Sequence, residues 1–336
     1  MGPDPTAPVL VTGAAGQDGC YLARMLLAEG RRVVGTVQPG TAPSPYLAGV
    51  EVVELDVTHT PALAALLERV RPAEVFHLAA FSSVGASWGA APLVGEVNGS
   101  AVLRLLEELL AFRARHGWAP RLFHASSAEV FGALDDRPRT ETDAHHPRSP
   151  YAAAKSYAHS LVVAYREAHD LFAVNGILYN HESPLRGRGF VTRKITRAAA
   201  EIALGRAEHV TLGNLAVSRD WGHAADHVRG MRLMLAADEP RDMVLATQVP
   251  HSLRDLLETA FDAAGLGDPD PYLVSDPALF RPVDGACPTG DATAARELLG
   301  WVPVRTFDDV VREMVAVDLR RVESGVEEDL AYLRLP

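Results

Sequence analysis

The chain has only two cysteines among 336 residues, Cys20 and Cys287. Two thiols cannot by themselves build a metal site. Such sparse usage points to a reducing, cytoplasmic compartment rather than a disulfide scaffold. No apolar run approaches the roughly 20 residues that a membrane-spanning helix needs. Met1-Gly2-Pro3-Asp4-Pro5 has no basic start and no hydrophobic segment behind it, so no signal peptide is expected. Positive charge is not in excess either. A net charge of −11 argues against nucleic acid or an anionic membrane as the main partner, though a phosphorylated small ligand needs only local donors. Internal repeats and low-complexity tracts are missing. His223 and His227 have i,i+4 spacing but no evident third ligand, so they read as helix residues and no metal is expected. What remains is an ordinary globular mix, 48% hydrophobic and 22% charged, long enough for one large domain and a smaller lobe.

The pattern that is present begins with Val9-Leu10-Val11-Thr12, a short apolar run. It leads into Gly13-Ala14-Ala15-Gly16-Gln17-Asp18-Gly19 and then a helical pattern through Tyr21, Leu22, Met25, Leu26 and Leu27. This reads as strand, glycine-rich turn and helix N-terminus. Glycines let the backbone approach a pyrophosphate, and the helix N–H groups and dipole favour its charge. The spacing is G-x-x-G-x-x-G, and an ordinary strand-to-helix turn is the alternative. Further strands are expected at 32–37, 50–55, 74–78, 121–125 and 173–178. Helices are expected at 61–70, 93–112, 151–169 and 192–204. The alternation predicts an α/β fold, a Rossmann-type doubly wound parallel sheet. Residues 1–180 form the expected dinucleotide domain, with 220–250 returning to it. Residues 181–219 and 251–336 form the smaller C-terminal substrate lobe, closing over the strand ends where such sheets bind ligands. The second strand ends in Gln38-Pro39, which offers neither an acid for an NAD ribose nor an Arg for an NADP phosphate. Asp56 follows the third strand, in place to meet the adenine. Ala79-Ala80 follow the fourth and are small enough for close approach to the cofactor. The three prolines between Pro39 and Pro45 mark the most flexible loop of this half.

Tyr151 and Lys155 lie four apart, on one face of a helix. An ammonium beside a phenol favours the phenolate, and a Tyr tuned in this way can take a proton from an alcohol while a hydride leaves the carbon. A surface helix with a packed Tyr and a solvated Lys is the alternative. Ser126-Ser127-Ala128-Glu129 follows a predicted strand, so a hydroxyl and a carboxylate reach one small substrate from a strand end. Turn chemistry and a helix N-terminal acid are the plainer reading of those residues.

The glycine turn together with Tyr151 and Lys155 resembles the extended short-chain dehydrogenase/reductases. The stretch Ser149–Gly189, with Asn175-Gly176-Ile177-Leu178-Tyr179-Asn180-His181-Glu182-Ser183-Pro184, is similar to the GDP-mannose 4,6-dehydratase family. So are Gly16-Gln17-Asp18-Gly19, Phe190-Val191-Thr192-Arg193-Lys194, the blocks Leu212–Leu215 and Arg219–His223, Arg281-Pro282, Gly290-Asp291 and Gly300–Pro303. The resemblance covers nearly the whole chain. It implies an internal redox dehydration of a GDP-sugar, with NADP or NAD as a cofactor that is regenerated in each cycle. Tyr151 takes the C4 hydroxyl proton, Ser127 hydrogen-bonds the C4 oxygen, and Glu129 removes the C5 proton as water leaves from C6. Lys155 holds the cofactor ribose and tunes Tyr151. The cofactor also meets Gly13, Gly16, Gln17, Asp18, Gly19, Asp56, Val57, Leu78, Ala79, Ala80 and His181. The substrate also meets Ser82, Ser83, Gly213 and Asn214. Asn180 and Arg219 lie at its diphosphate, Arg281 at the diphosphate or ribose, and Val191 and Lys194 at its guanine. A homodimer through the helices beginning near Leu93 and Tyr151 is expected, with a tetramer as the alternative. The competing functions are a 4-epimerase, a 4-keto-reductase and a non-catalytic nucleotide-sugar-binding protein.

The sequence departs from the family at three places. Gln38-Pro39 stands where members carry Arg for the NADP 2′-phosphate. The following loop is short where a longer one joins neighbouring subunits in tetramers. Phe81-Ser82-Ser83-Val84 and Ala128 differ from the usual residues near the sugar, which leaves mannose or a relative such as a heptose as the hexose-site occupant.

Overall fold

The computed structural model describes residues 7–132, 137–279 and 289–335. Seven parallel strands form the central sheet: β1 (Val9–Thr12), β2 (Val33–Val37), β3 (Glu51–Glu54), β4 (Glu74–His77), β5 (Arg121–Ser127), β6 (Ala173–Leu178) and β10 (Met243–Leu245). Their order is β10-β6-β5-β4-β1-β2-β3, so the chain reverses direction across the sheet between β1 and β4. At that switch point the strand ends part and leave a crevice.

Both sheet faces are covered, which is why the strands read as short apolar runs rather than alternating ones. On one face Leu10, Val34, Val75, Leu122 and Ala173 pack with α2 (Thr60–Val70), α4 (Ala101–His116) and α5 (Pro150–His169). On the other, Val9, Val11, Phe76, Phe123 and Val174 pack with α1 (Gln17–Ala28) and α7 (Ala224–Ala236). Each large side chain sealed in these layers contributes about 1.5–3 kcal/mol. Ser149 starts α5 by accepting from the Ala152 amide at 3.1 Å, ahead of Pro150 in the first turn. Such a cap is worth about 1 kcal/mol, and it fixes where Tyr151 and Lys155 stand.

A second core joins α6 (Val191–Ala203), α8 (Leu253–Ala263) and α10 (Phe307–Ser324) through Ile195, Ile202, Leu257, Phe261, Phe307 and Val311. Short strands β7 (Asn180–Glu182), β9 (Ser218–His223) and β11 (Pro250–Ser252) make one small sheet, and β8 (Val210–Leu212) with β12 (Leu273–Ser275) another. The buried Asp318 of α10 accepts from Arg193 Nε at 2.8 Å, Thr196 Oγ1 at 2.8 Å and Arg321 at 3.1 Å, fastening α6 in place. The short helix α9 (Thr293–Leu299) lies against β10 and α7.

Strand and helix edges fall within two residues of those read from sequence, with three corrections. The helix expected over 93–112 is broken into α3 (Ala91–Gly95), a π turn at Glu96–Ser100, and α4. The turn aims Asn98 at Phe81, whose amide donates to Oδ1 at 2.7 Å and whose carbonyl accepts from Nδ2 at 2.9 Å. His223 is not inside a helix. It ends β9 and caps α7, its Nδ1 accepting from the Ala225 amide at 3.0 Å, while His227 does lie within α7. The region after Asn180 is also less irregular than its prolines and glycines suggested, because β7 pairs with β9 there.

Candidate active site

A cleft of ≈ 500 Å³ opens at the C-terminal ends of β4, β5 and β6 and is closed by β7, α6, β8 and β9. That size suits a bound organic ligand. Ser127 is the last residue of β5 and caps the short turn that carries Glu129, its Oγ accepting from the Glu129 amide at 3.3 Å. Tyr151 reaches the same place from the first turn of α5 and hydrogen-bonds Ser127. The Glu129 carboxylate has no ion-pair or hydrogen-bond partner among the described residues, and it is close enough to Tyr151 to oppose its ionisation.

Lys155 stands on the same helix face as Tyr151. Lys155 Nζ donates to the Ala125 carbonyl at 2.7 Å. Burial pushes the Tyr151 phenol up to about 12, against the pull of its bond to Ser127. Burial also brings the Lys155 ammonium down to about 8. Loss of solvent is the leading cause for both groups.

The glycine turn lies at the switch point, under the cleft. Gly13 has φ +71°, and a Cβ there would sit 2.8 Å from the Ala79 backbone. A Cβ on Gly19 would sit 2.5 Å from the Gly13 carbonyl. Gly16 begins α1 with no side-chain cap, so the first amides of the helix stay open. A dinucleotide pyrophosphate fits this cradle, because it needs close backbone approach and free helix N–H groups. Gln17 is committed to the protein, donating to the His181 carbonyl at 3.0 Å and accepting from Ser183 at 2.8 Å. Asp18 pairs with His181 at 2.9 Å. His181 Nδ1 faces the Tyr179 carbonyl at 2.7 Å, and the ring stacks on His227 at 4.3 Å. Burial disfavours both charges, but their attraction holds Asp18 below and His181 above the usual values.

Leu78, Ala80, Ser82, Ser83, Asn180, Val191, Lys194, Gly213, Asn214 and Arg219 all line the cleft, as do Asp18 and His181. Gly13, Gly16, Gln17, Gly19 and Ala79 shape the turn beneath rather than the wall. Asp56 and Val57 are not in the wall either; Asp56 accepts from the Thr58 hydroxyl at 2.7 Å. Arg281 lies outside the described residues. Sequence reading missed Arg186, which pairs with Glu182 at 2.9 Å and covers the Phe190 ring at 3.7 Å. It also missed Trp221, Leu253 and Leu279, brought to the cleft from distant segments. Of the wall carboxylates, Asp18 and Glu182 are neutralised by His181 and Arg186, which leaves Glu129 unengaged. Lys194 and Arg219 meet no carboxylate among the described residues and so remain open to an anion.

A doubly wound sheet, a glycine turn at its switch point and a Tyr–Lys pair above β5 define an extended short-chain dehydrogenase/reductase, whose cofactor is a nicotinamide dinucleotide. The family model described as GDP-mannose 4,6 dehydratase matches residues 10–314. The human GDP-mannose 4,6 dehydratase is 39% identical, over 96% of this chain and 94% of its own length. GDP-mannose 4,6 dehydratase 2 of Arabidopsis thaliana is 40% identical, over 94% of this chain and 88% of its own. Among solved structures, the UDP-glucose 4-epimerase of Thermus thermophilus in complex with NAD superposes with a TM-score of 0.81 at 26% identity, covering 94% of this chain and 99% of that one. The chain belongs to the GDP-mannose 4,6-dehydratase family.

Proposed function

We propose that the protein is a GDP-sugar 4,6-dehydratase acting on GDP-mannose or a close relative. The observation that carries this is the unengaged Glu129 carboxylate beside the Ser127–Tyr151 pair, in a chain of this family. Oxidation alone needs only Tyr151; elimination of water needs a second base at C5. Tyr151 takes the proton of the C4 hydroxyl, and Ser127 donates to the C4 oxygen. A nicotinamide held over the Gly13–Gly19 turn would supply the hydride acceptor for C4 and the hydride donor for C6. The new ketone acidifies C5–H. Glu129 takes that proton and passes it to the departing C6 hydroxyl, which leaves as water; as hydride returns to C6, the proton held by Tyr151 goes to C5. Lys194 and Arg219 supply the charge for the diphosphate side of the substrate, and Val191 and Asn214 the walls of the base site. On this reading residues 1–180 with 220–250 hold the dinucleotide, and 181–219 with 251–336 hold the nucleotide sugar. Mass spectrometry of products from a GDP-sugar panel tests it. Loss of one water from GDP-mannose or a relative without net cofactor turnover is expected. An isomeric product would mark a 4-epimerase, and a dependence on consumed cofactor a reductase.

Cofactor choice and assembly extend the proposal. Gln38 and Pro39 are exposed and offer no cation. Arg31 and Arg32, nearest in sequence, are paired with Glu74 and Glu51. A 2′-phosphate therefore gains little over a hydroxyl, and NAD competes well with NADP. Trp88, Leu93 and Tyr157 are 60%, 54% and 47% exposed around α3 and α5, an apolar face suited to a homodimer. Calorimetric titration with both cofactors and light scattering decide both points. A strong NADP preference in a stable tetramer is the contrary result.

A further inference from the structure

A row of polar side chains crosses the sheet beneath Lys155. Thr12, His77, His124 and Asn175 are register partners on β1, β4, β5 and β6, so all four point to the face covered by α4 and α5. All are buried. The hydrogen bonds around Asn175 fix the proton on His124, and His77 has a tautomer that complements it. The Thr12 hydroxyl accepts from the Ala79 amide at 3.2 Å and has its own proton available for His77 Nδ1, 3.0 Å away. In that tautomer His77 carries its proton on Nε2. On the other side, Arg166 grips Asp242 at 2.6 Å, and Asp242 accepts from Asn175 Nδ2 at 3.2 Å. This turns Asn175 Oδ1 toward His124 Nδ1 at 2.8 Å, which must donate. His124 Nε2 is then a bare lone pair. The two rings are stacked, with centroids 6.3 Å apart. Neither Nε2 meets a partner among the described residues. In these tautomers one is a donor and the other an acceptor, and both rings feel the charge of Lys155, which helps keep them neutral.

We propose that His77 and His124 together bind one buried water molecule, and that this water is a hydrogen-bond partner holding the Lys155 ammonium in place. A water can accept from His77 Nε2–H and donate to His124 Nε2, and its second lone pair faces the cation. Lys155 has three donors, of which the Ala125 carbonyl takes one. The histidines are thus positioning residues, acting on the site through Lys155. A partner that accepts from the ammonium favours its charged form. The titratable groups around Lys155 are Tyr151 and His159 on α5, His77 on β4 and His124 on β5. Burial holds His77 near 3 and His159 near 4, Tyr151 near 12 and Lys155 near 8, while His181 on the cleft wall lies above its usual value, so the limb that belongs to Lys155 is the one that moves when the water's partners are removed.

Two measurements on the full chain test this. A high-resolution crystal structure is expected to show a water within about 3.2 Å of both Nε2 atoms and of Lys155 Nζ. Empty density there overturns the proposal, whatever the reaction proves to be. In the second measurement, His77→Phe and His124→Phe keep the ring volume and remove the water's partners. The upper limb of the pH profile of kcat/KM is expected to move down by about one pH unit. His124→Gln, which keeps an acceptor, is expected to leave the limb in place. Lower activity with an unmoved limb in both Phe variants would mean that the histidines only fill space. Because the crystallographic arm does not depend on turnover, a wrong substrate assignment and a wrong water site give different results.

Discussion

Gly19→Ala gives the most direct test of how the cofactor turn works. A methyl group at this position meets the Gly13 carbonyl at 2.5 Å and the Ala14 backbone at 2.6 Å. Ordinary contact begins near 3.4 Å, so α1 and the turn must separate by close to an ångström. The obstacle is main chain on both sides, and no side chain can swing away. The helix amides then no longer point at a phosphate held against Gly13–Gly16. A hydrogen bond to a charged group contributes about 1.5–3 kcal/mol, so losing one weakens dinucleotide binding about 10- to 100-fold. Calorimetric titration of the folded variant with NAD and with NADP measures this, and both affinities fall together because the pyrophosphate is common to them. Gly95→Ala is the control: nothing lies within 4 Å of its Cβ position, and wild-type affinity is expected. If Gly19→Ala binds both dinucleotides within twofold of wild type, the turn is not the pyrophosphate cradle.

Three other outcomes follow from the site and its supports. Tyr151→Phe lowers turnover by about two to four orders of magnitude while nucleotide-sugar binding stays near wild type; wild-type turnover would remove Tyr151 from the acid–base role. Glu129→Gln still oxidises C4 but does not eliminate, so mass spectrometry finds enzyme-held 4-keto sugar that keeps its 6-hydroxyl, whereas a full yield of dehydrated product would clear Glu129 of the part given to it. Asp318→Asn strips the buried Arg193 and Arg321 of their countercharge and costs about 3–5 kcal/mol, read from the urea midpoint; a loss below about 1 kcal/mol would show that the cluster is neutral in its net effect.

The layered fold was legible because its signals are local. Val9–Thr12, Val33–Val37 and Ala173–Leu178 are short apolar runs of the kind a two-sided sheet requires, and Ser149-Pro150 announces the start of α5. The cleft was legible where resemblance reached it, as at Ser127, Glu129, Tyr151 and Lys194. The rest depended on tertiary neighbours. Glu96–Ser100 continues a helical pattern, so nothing in its composition marks the π turn that delivers Asn98 to Phe81. Tyr151 and Lys155 share a helix face, yet the Ala125 carbonyl, from another strand, takes the ammonium. Arg186 belongs to a segment already singled out, but its partner Glu182 and its stacking on Phe190 appear only when the chain folds back.

The clasp between Arg193 and Asp318 also bears on how the enzyme is made. Val191 and Lys194 flank that arginine on the cleft wall, but the carboxylate that seats it is encoded 125 residues later. At about 5–20 residues per second, a ribosome needs roughly 6–25 s to cover that distance. Throughout it Arg193 lacks its carboxylate partner, while strands β1 to β6 are already made. A nascent chain can therefore form strands β1 to β6 of the central sheet well before α6 is seated. A premature stop between α6 and Asp318 would leave a polypeptide with the glycine turn and no seated α6, a product for proteases rather than for catalysis.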